Sequence, residues 1–376
     1  MARLSERIAD LRGSPVRAML AASQQPDMIS FAGGLPDADS FSDLEIPVPP
    51  RDLLQYGPSE GEADLRAHLA GELQALGIDT DADRVLILSG SQQGIDLAAK
   101  LAIDRGSGLA VEQPAYLAAL QVFRFFGADF RLLDRTDPVA GWSGDPPVMA
   151  YVTPTFQNPT GGCWTAAERG ALAGACAAHQ VILFEDDPYR DLVSAPCDRR
   201  PVCADAGGSW IYQGSFSKTV APGLRLGFLT ASPDLFPYLL QLKQAADLHT
   251  NRLAQWSVLQ ILRHPGRARR MARVIGSYRH KRDRFAASLD RELGGLAQWE
   301  VPVGGLFFWV RLNAGVEVEA LHRRALARGV LFTPGDHFLA APDPSARGTM
   351  RLNFSAASPA RAAEGLAILG QLIRQG

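Results

Sequence analysis

The apolar residues of this chain gather into short runs at 84–88, 109–112, 129–133, 148–152, 181–185, 210–212 and 226–230, and most gaps between them carry helix-like spacing. Short runs bounded by turn residues predict strands, and strands alternating with helices predict a mostly parallel sheet covered on both faces. In such sheets ligands lie beyond the carboxyl ends of the strands. The polar residues at those ends are Ser91 and Gln92, Tyr116, Asn158, Asp186 and Tyr189, and Ser215, Ser217 and Lys218. The pattern predicts that they converge.

Outside the alternation the pattern changes. Residues 4–24 predict an amphipathic helix interrupted near Gly13-Ser14-Pro15, where proline can restart a helix in its first turn. Residues 29–36 predict an extended segment in which Gly33 and Gly34 let backbone pass close to a neighbour. The loop 55–61 precedes a helix over 62–76, with Tyr56 at its mouth as either a packing residue or a phenol donor. From residue 254 the alternation stops. Residues 266–293 predict one long, arginine-rich helix suited to bridging two domains, its charge a solvated face. A smaller α+β unit follows, with strands at 305–310 and 350–354 and helices at 317–328 and 359–374. Arg351 lies inside an apolar strand, where it either snorkels or meets a carboxylate.

Composition narrows the class. With 47% hydrophobic and 21% charged residues over 376 positions, the chain has an ordinary soluble globular balance, and a net charge of -2 gives no basic field for nucleic acid or a membrane surface. The first ten residues lack the apolar core of a signal peptide, and no stretch approaches the roughly 18 apolar residues of a membrane span. A cytoplasmic location is expected. Four cysteines without a Cys-x-x-Cys spacing predict free thiols in a reducing compartment, and seven histidines without a His-x-x-x-His pair predict no metal site.

The chain has four lysines against thirty-four arginines, and one of them, Lys218, stands among the hydroxyls of Ser215, Ser217 and Thr219, seven positions before Arg225. A desolvated lysine can lose its proton and attack a carbonyl to form a Schiff base, which guanidinium cannot do. The neighbouring hydroxyls and Arg225 are donors that suit a phosphate dianion. The other reading is an ordinary polar loop after a strand, and the segment alone leaves both open. The turn at 89–94, between a strand and a helix N-terminus, is a second anion site in prospect, although it meets neither the Walker nor the Rossmann spacing.

Eight segments taken in order carry a family resemblance: Ser30-Phe31-Ala32-Gly33-Gly34-Leu35-Pro36, Gln55-Tyr56-Gly57-Pro58, Gly90-Ser91-Gln92, Gln113-Pro114-Ala115-Tyr116, Asn158-Pro159-Thr160-Gly161, Glu185-Asp186-Asp187-Pro188-Tyr189, Ser215-Phe216-Ser217-Lys218 and Met350-Arg351-Leu352. Over nearly its whole length the chain resembles the fold type I, class I aminotransferases that use pyridoxal 5'-phosphate, most closely the 2-aminoadipate and kynurenine aminotransferase branch. The resemblance implies an α/β fold of the aspartate-aminotransferase type, with a mixed, mostly parallel seven-stranded sheet and a smaller α+β domain. It implies an N-terminal arm with part of the small domain at 1–30, a large cofactor-binding domain at 31–265, and an interdomain helix and small domain at 266–376.

It also implies roles. Lys218 would carry the cofactor and shuttle the proton, Asp186 would hold the pyridinium nitrogen protonated, and Asn158 and Tyr189 would donate to the phenolic oxygen. Tyr116 would stack on the ring. The phosphate would lie among Ser91, Gln92, Ser215, Ser217 and Arg225, with Tyr56 reaching it from the second subunit of a homodimer with shared active sites. Arg351 would clamp the substrate α-carboxylate beside Asn158 and Gly34, with Arg17 near the substrate side chain. Plainer readings stand beside three of these: Asp186 as a turn cap, and Tyr116 and Tyr56 as packing.

The reaction implied is transfer of the amine of an α-amino acid, aromatic or 2-aminoadipate-like, to a 2-oxo acid such as 2-oxoglutarate. Lyase, decarboxylase and cyclase chemistry occurs on the same fold, and Arg351 favours substrates that keep their carboxylate. Winged-helix regulators also carry this domain behind a basic DNA-binding domain. Here the resemblance begins almost at Met1, which points to an enzyme. One departure is Ser42 after Phe41, where relatives usually have proline.

Overall fold

The computed structural model describes residues 5–8, 25, 27–41, 47–142, 144–313 and 316–375. The expected helix over 4–24 lies outside these residues apart from one 3-10 turn at Glu6–Ile8, and so do Arg17 and Ser42.

Seven strands form the large sheet: β2 (Val85–Leu88), β3 (Gly108–Val111), β4 (Asp129–Leu132), β5 (Met149–Val152), β6 (Ile182–Asp186), β7 (Trp210–Ser215) and β8 (Gly227–Ala231). Their order is β2-β8-β7-β6-β5-β3-β4. Neighbours from β7 to β4 run parallel, while β8 runs antiparallel to both β2 and β7, with Ser215 opposite Gly227. Helices α1 (Ala63–Ala75), α2 (Ser91–Ala102), α3 (Leu117–Phe126), α4 (Ala166–His179), α5 (Phe236–Asp247) and α6 (Arg252–Arg263) cover it.

Why the strands read as continuous apolar runs is visible in the packing. Successive residues of a strand point to opposite faces, and here both faces are cores. Val85 and Ile87 join one cluster, with Leu65 and Leu69 of α1, Leu172 of α4 and Val258 of α6. Leu86 and Leu88 join the other, with Ile95 of α2, Phe123 of α3 and Leu239 of α5. Edge strand β4 is the exception, partly exposed along its length. Strand β7 runs beyond the expected 210–212, because its polar residues Gln213, Gly214 and Ser215 pair with Leu229, Phe228 and Gly227.

The smaller unit is a four-stranded antiparallel sheet in the order β12-β13-β10-β9, made from Thr333–Pro334, Thr349–Asn353, Phe307–Leu312 and Ala297–Trp299. Strand β1 (Ile29–Ser30) pairs in parallel with β11 (Val330–Leu331), tying the segment before the large sheet to this unit. The long helix α7 (Arg267–Leu293) buries Val274, Tyr278, Phe285, Leu289 and Leu293 at helical spacing against β10, α8 (Val318–Ala327) and α9 (Pro359–Arg374). Among the described residues no helix is long and apolar enough to cross a membrane.

Candidate active site

Ten of the residues singled out in the sequence wall one cleft of about 630 Å³ at the carboxyl ends of the parallel strands: Ser91, Gln92, Tyr116, Asn158, Asp186, Tyr189, Ser215, Ser217, Lys218 and Arg225. Two glycines make the close approach behind it possible. Gly90 has φ +84°, and a Cβ there would lie 2.5 Å from Arg225 Nη2; a Cβ on Gly227 would lie 2.7 Å from the Ser91 backbone nitrogen. Arg225 therefore lies against the turn that opens α2, whose first residues Ser91 and Gln92 face the cleft. Free N–H groups of a helix N-terminus, hydroxyls and a guanidinium make an anion cradle. Ser215 Oγ accepts from the Ser217 N–H at 3.2 Å, which curls the β7 exit toward the same point.

Lys218 is half-buried, and its Nζ donates to the Gly34 carbonyl at 2.8 Å. Burial, with the nearby Arg351 and Arg225 charges, lowers its pKa to about 8. Asp186 ends β6 and is buried; its Oδ2 accepts from the Tyr151 hydroxyl at 2.8 Å, while its Oδ1 has no partner. Burial raises this carboxyl to about 6, against the side chains of Gln213 and Tyr151, which favour the anion. Burial likewise pushes the Tyr116 phenol up to about 12, and its hydroxyl lies 3.5 Å from Gln92 Oε1.

Arg351 lies on β13 between Met350 and Leu352, which both belong to the small-unit core, and its guanidinium turns the other way. Its Nη1 donates to Asn158 Oδ1 at 2.7 Å, its Nη2 donates to the Ala32 carbonyl, and the group lies 4.4 Å from the Phe307 ring centroid and 4.8 Å from that of Phe338. The expected carboxylate partner is replaced: among the described residues an amide and a backbone carbonyl serve instead, and Nε has no partner. Burial lowers the Arg351 pKa to about 10. Asn158 links onward, its Nδ2 donating to the Tyr189 hydroxyl at 3.4 Å. Gly34 and Arg351 touch the cleft through Lys218 and Asn158 rather than walling it.

Tyr56 is not at the cleft of its own chain. It is 76% exposed, with its ring edge-on to His249 at 5.8 Å. Sequence reasoning missed Tyr151, Phe307 and Phe338. The signal for Tyr151 was a phenol inside the apolar run 148–152, since a buried tyrosine hydroxyl needs a partner. It also missed Glu112, a buried carboxylate whose Oε2 accepts from the Thr153 N–H at 2.8 Å and whose Oε1 accepts from Trp164 Nε1–H at 2.9 Å.

The site suits pyridoxal phosphate on the donor chemistry alone: an anion cradle at one end, a lysine amine in the middle, and an unpartnered buried carboxylate oxygen at the other. Comparison with known proteins agrees. Residues 49–369 match the family of class I and II aminotransferases. The chain is 36% identical to the 2-aminoadipate transaminase of Thermus thermophilus, covering 97% of this chain and 94% of that one. Two solved structures superpose over 99% of this chain and 97% of theirs. The alpha-aminoadipate aminotransferase of Thermus thermophilus, complexed with N-(5'-phosphopyridoxyl)-L-leucine, has 32% identity and a TM-score of 0.85. The kynurenine aminotransferase of Pyrococcus horikoshii, in complex with PMP, has 30% identity and a TM-score of 0.89. The chain belongs to the class I and II aminotransferases, as a fold type I, pyridoxal phosphate-dependent transaminase related to the 2-aminoadipate/kynurenine branch.

Proposed function

We propose that this transaminase takes the amine of an aromatic or 2-aminoadipate-like amino acid and passes it to 2-oxoglutarate or a similar oxo acid, in two half-reactions that use one carboxylate clamp in turn. The observation that carries the reading is Arg351. It is a buried guanidinium with an unpartnered Nε, bonded only to groups a carboxylate can displace or share, Asn158 Oδ1 and the Ala32 carbonyl. Donor and acceptor both present an α-carboxylate, so one arginine serves both. A charge-assisted pair of this kind contributes about 1.5 to 3 kcal/mol. The substrate side chain is read from the relatives' names.

Pyridoxal phosphate, when bound, supplies an electron sink for the electrons released at the substrate α-carbon. The chain's residues do the rest. Lys218, whose pKa of about 8 leaves far more neutral amine at working pH than an ordinary lysine has, would accept the α-proton and return it. Asp186 Oδ1 would hold a proton on the pyridine nitrogen, with Tyr151 fixing the other oxygen. Asn158 and Tyr189, already in contact, would donate to the phenolic oxygen, and Tyr116 would cover one ring face. Ser91, Gln92, Ser215, Ser217 and Arg225 would hold the phosphate, joined by Tyr56 from the partner subunit of a homodimer.

The test is a half-reaction scan. Amino acids are added singly to the holoenzyme while the absorbance of the lysine-bound cofactor is followed. Aromatic amino acids or 2-aminoadipate should bleach it fastest. Faster bleaching by small aliphatic amino acids than by either class would overturn the substrate reading.

A further inference from the structure

Two of the four cysteines meet in a place the reaction does not use. Cys163 lies near the end of the loop that carries Asn158, and Cys197 lies on the segment that leaves Tyr189. Both thiols are half-buried and line one surface cavity of about 530 Å³. Cys163 Sγ donates to the carbonyl of Asp198, the residue after Cys197, at 3.0 Å, which sets the Cys163 sulfur against the segment that carries the second thiol. Cys176 and Cys203 are buried in the sheet core.

The surroundings suit sulfur chemistry at Cys163. Arg169 Nη2 lies 3.7 Å from its Sγ and is held there by bonds to the Pro154 carbonyl at 2.9 Å and the Asp198 carbonyl at 3.1 Å. Charge that develops on this sulfur during attack therefore has a fixed cation beside it. Cys197 is the poorer nucleophile, because burial and the Cys163 thiol push it up to about 11.

We propose that Cys163 and Cys197 form a dithiol site that peroxide converts to a disulfide, joining the Asn158 loop to the segment beyond Tyr189. Cys163 attacks one peroxide oxygen; the O–O bond breaks, a water leaves and the sulfur becomes a sulfenic acid. The Cys197 sulfur then displaces the second water as the S–O bond breaks. Two thiol hydrogens and two electrons pass to the peroxide, and a dithiol reductant reverses the change.

The link bears on the active site through what the two segments already hold. The Ser194 and Ala195 N–H groups donate to the Val303 carbonyl at 2.8 and 3.0 Å, and Gly305 N–H donates to the Leu192 carbonyl at 2.9 Å. On the other side a Cβ on Gly161 would lie 2.7 Å from the Phe307 carbonyl oxygen. Both segments thus pack on the stretch that leads into Phe307 beneath Arg351. Drawing the two sulfurs together into a bond of about 2.05 Å pulls the Asn158 loop with them, and Asn158 is bonded to both Arg351 and Tyr189.

Holoenzyme treated with a small excess of hydrogen peroxide, then alkylated and digested with trypsin, should yield a cross-link between the peptides ending at Arg169 and Arg199, lighter by two hydrogens than their sum. Cys197→Ser should instead leave a sulfenic acid on Cys163 that dimedone traps. The kcat/KM for the amino donor should fall at least about threefold and return with dithiothreitol, while the double variant Cys163→Ser/Cys197→Ser keeps its value through the same treatment. Absence of the linked peptide, or oxidation confined to other residues, overturns the site. A linked enzyme with unchanged kcat/KM overturns its connection to Asn158. The peptide readout is independent of which amino acid is the substrate.

Discussion

A single lysine among many arginines was the most informative residue in the chain. Only an amine can both carry the cofactor and move a proton, and the fold puts Lys218 where burial and two guanidinium groups lower its pKa to about 8 from the ordinary 10.5. The sign fixes a pH dependence. Neutral amine is the attacking form, so the rate at which apoenzyme captures pyridoxal phosphate should rise about tenfold per pH unit below about 8 and level off above it. Stopped-flow capture between pH 6 and 10 checks this, and a rate still climbing at pH 10 would show an unperturbed lysine. Arg351 shows what residue type alone leaves open. A charge in an apolar strand calls for a partner, and within the chain the Asn158 amide oxygen, not a carboxylate, supplies it. Nothing at residue 351 could have told the two apart, since the partner lies 193 positions away.

At the scale of the element, strands and helices were legible because a doubly covered sheet forces near-continuous apolar runs. Their polar ends were less so: β7 continues through Gln213, Gly214 and Ser215, whose burial comes from neighbouring strands rather than from their own character. The loop 153–164 is another case. Its first and last residues, Thr153 and Trp164, both donate to Glu112 at the exit of β3, so one carboxylate pins both ends of the loop that presents Asn158. Glu112→Gln should loosen it, because the new NH₂ must face either the Thr153 N–H or the Trp164 N–H, at a cost of about 1 to 3 kcal/mol. Burial raises the Glu112 pKa to about 7 from 4.5, so the native state binds the extra proton between those values. Its contribution is full below about 4.5 and is lost as pH rises through about 7. The Tm gap between wild type and Glu112→Gln should therefore narrow from pH 5 to 7; a gap that widens with pH would contradict the assignment.

At the scale of the whole molecule, Tyr56 raises the question of what completes the site. It is exposed, packs against His249 and does not line its own cleft. If it serves the partner's phosphate, neither the Lys218→Ala nor the Tyr56→Phe homodimer has an intact site, but a mixed dimer has one. Coexpressed, doubly tagged heterodimer should recover about half the wild-type activity per dimer. Tyr56→Phe homodimer should need about ten- to a hundredfold more cofactor for half-saturation. A heterodimer no better than the average of its parents would place Tyr56 within its own chain.

The reversed strand β8 has a further consequence. Since Ser215 pairs with Gly227, residues 216–226 leave and re-enter the sheet at one fixed point, with Lys218 and Arg225 inside the excursion. A crossover helix between parallel strands can lengthen without disturbing the strands it joins, but this segment is a tether of set length between two registered backbones. An added residue must either bulge the tether or slip the pairing by one, and a slip turns every side chain of β8 to the opposite face. Across descendants of this chain, length should drift in the outer connections while the number of residues from Lys218 to Arg225 stays constant.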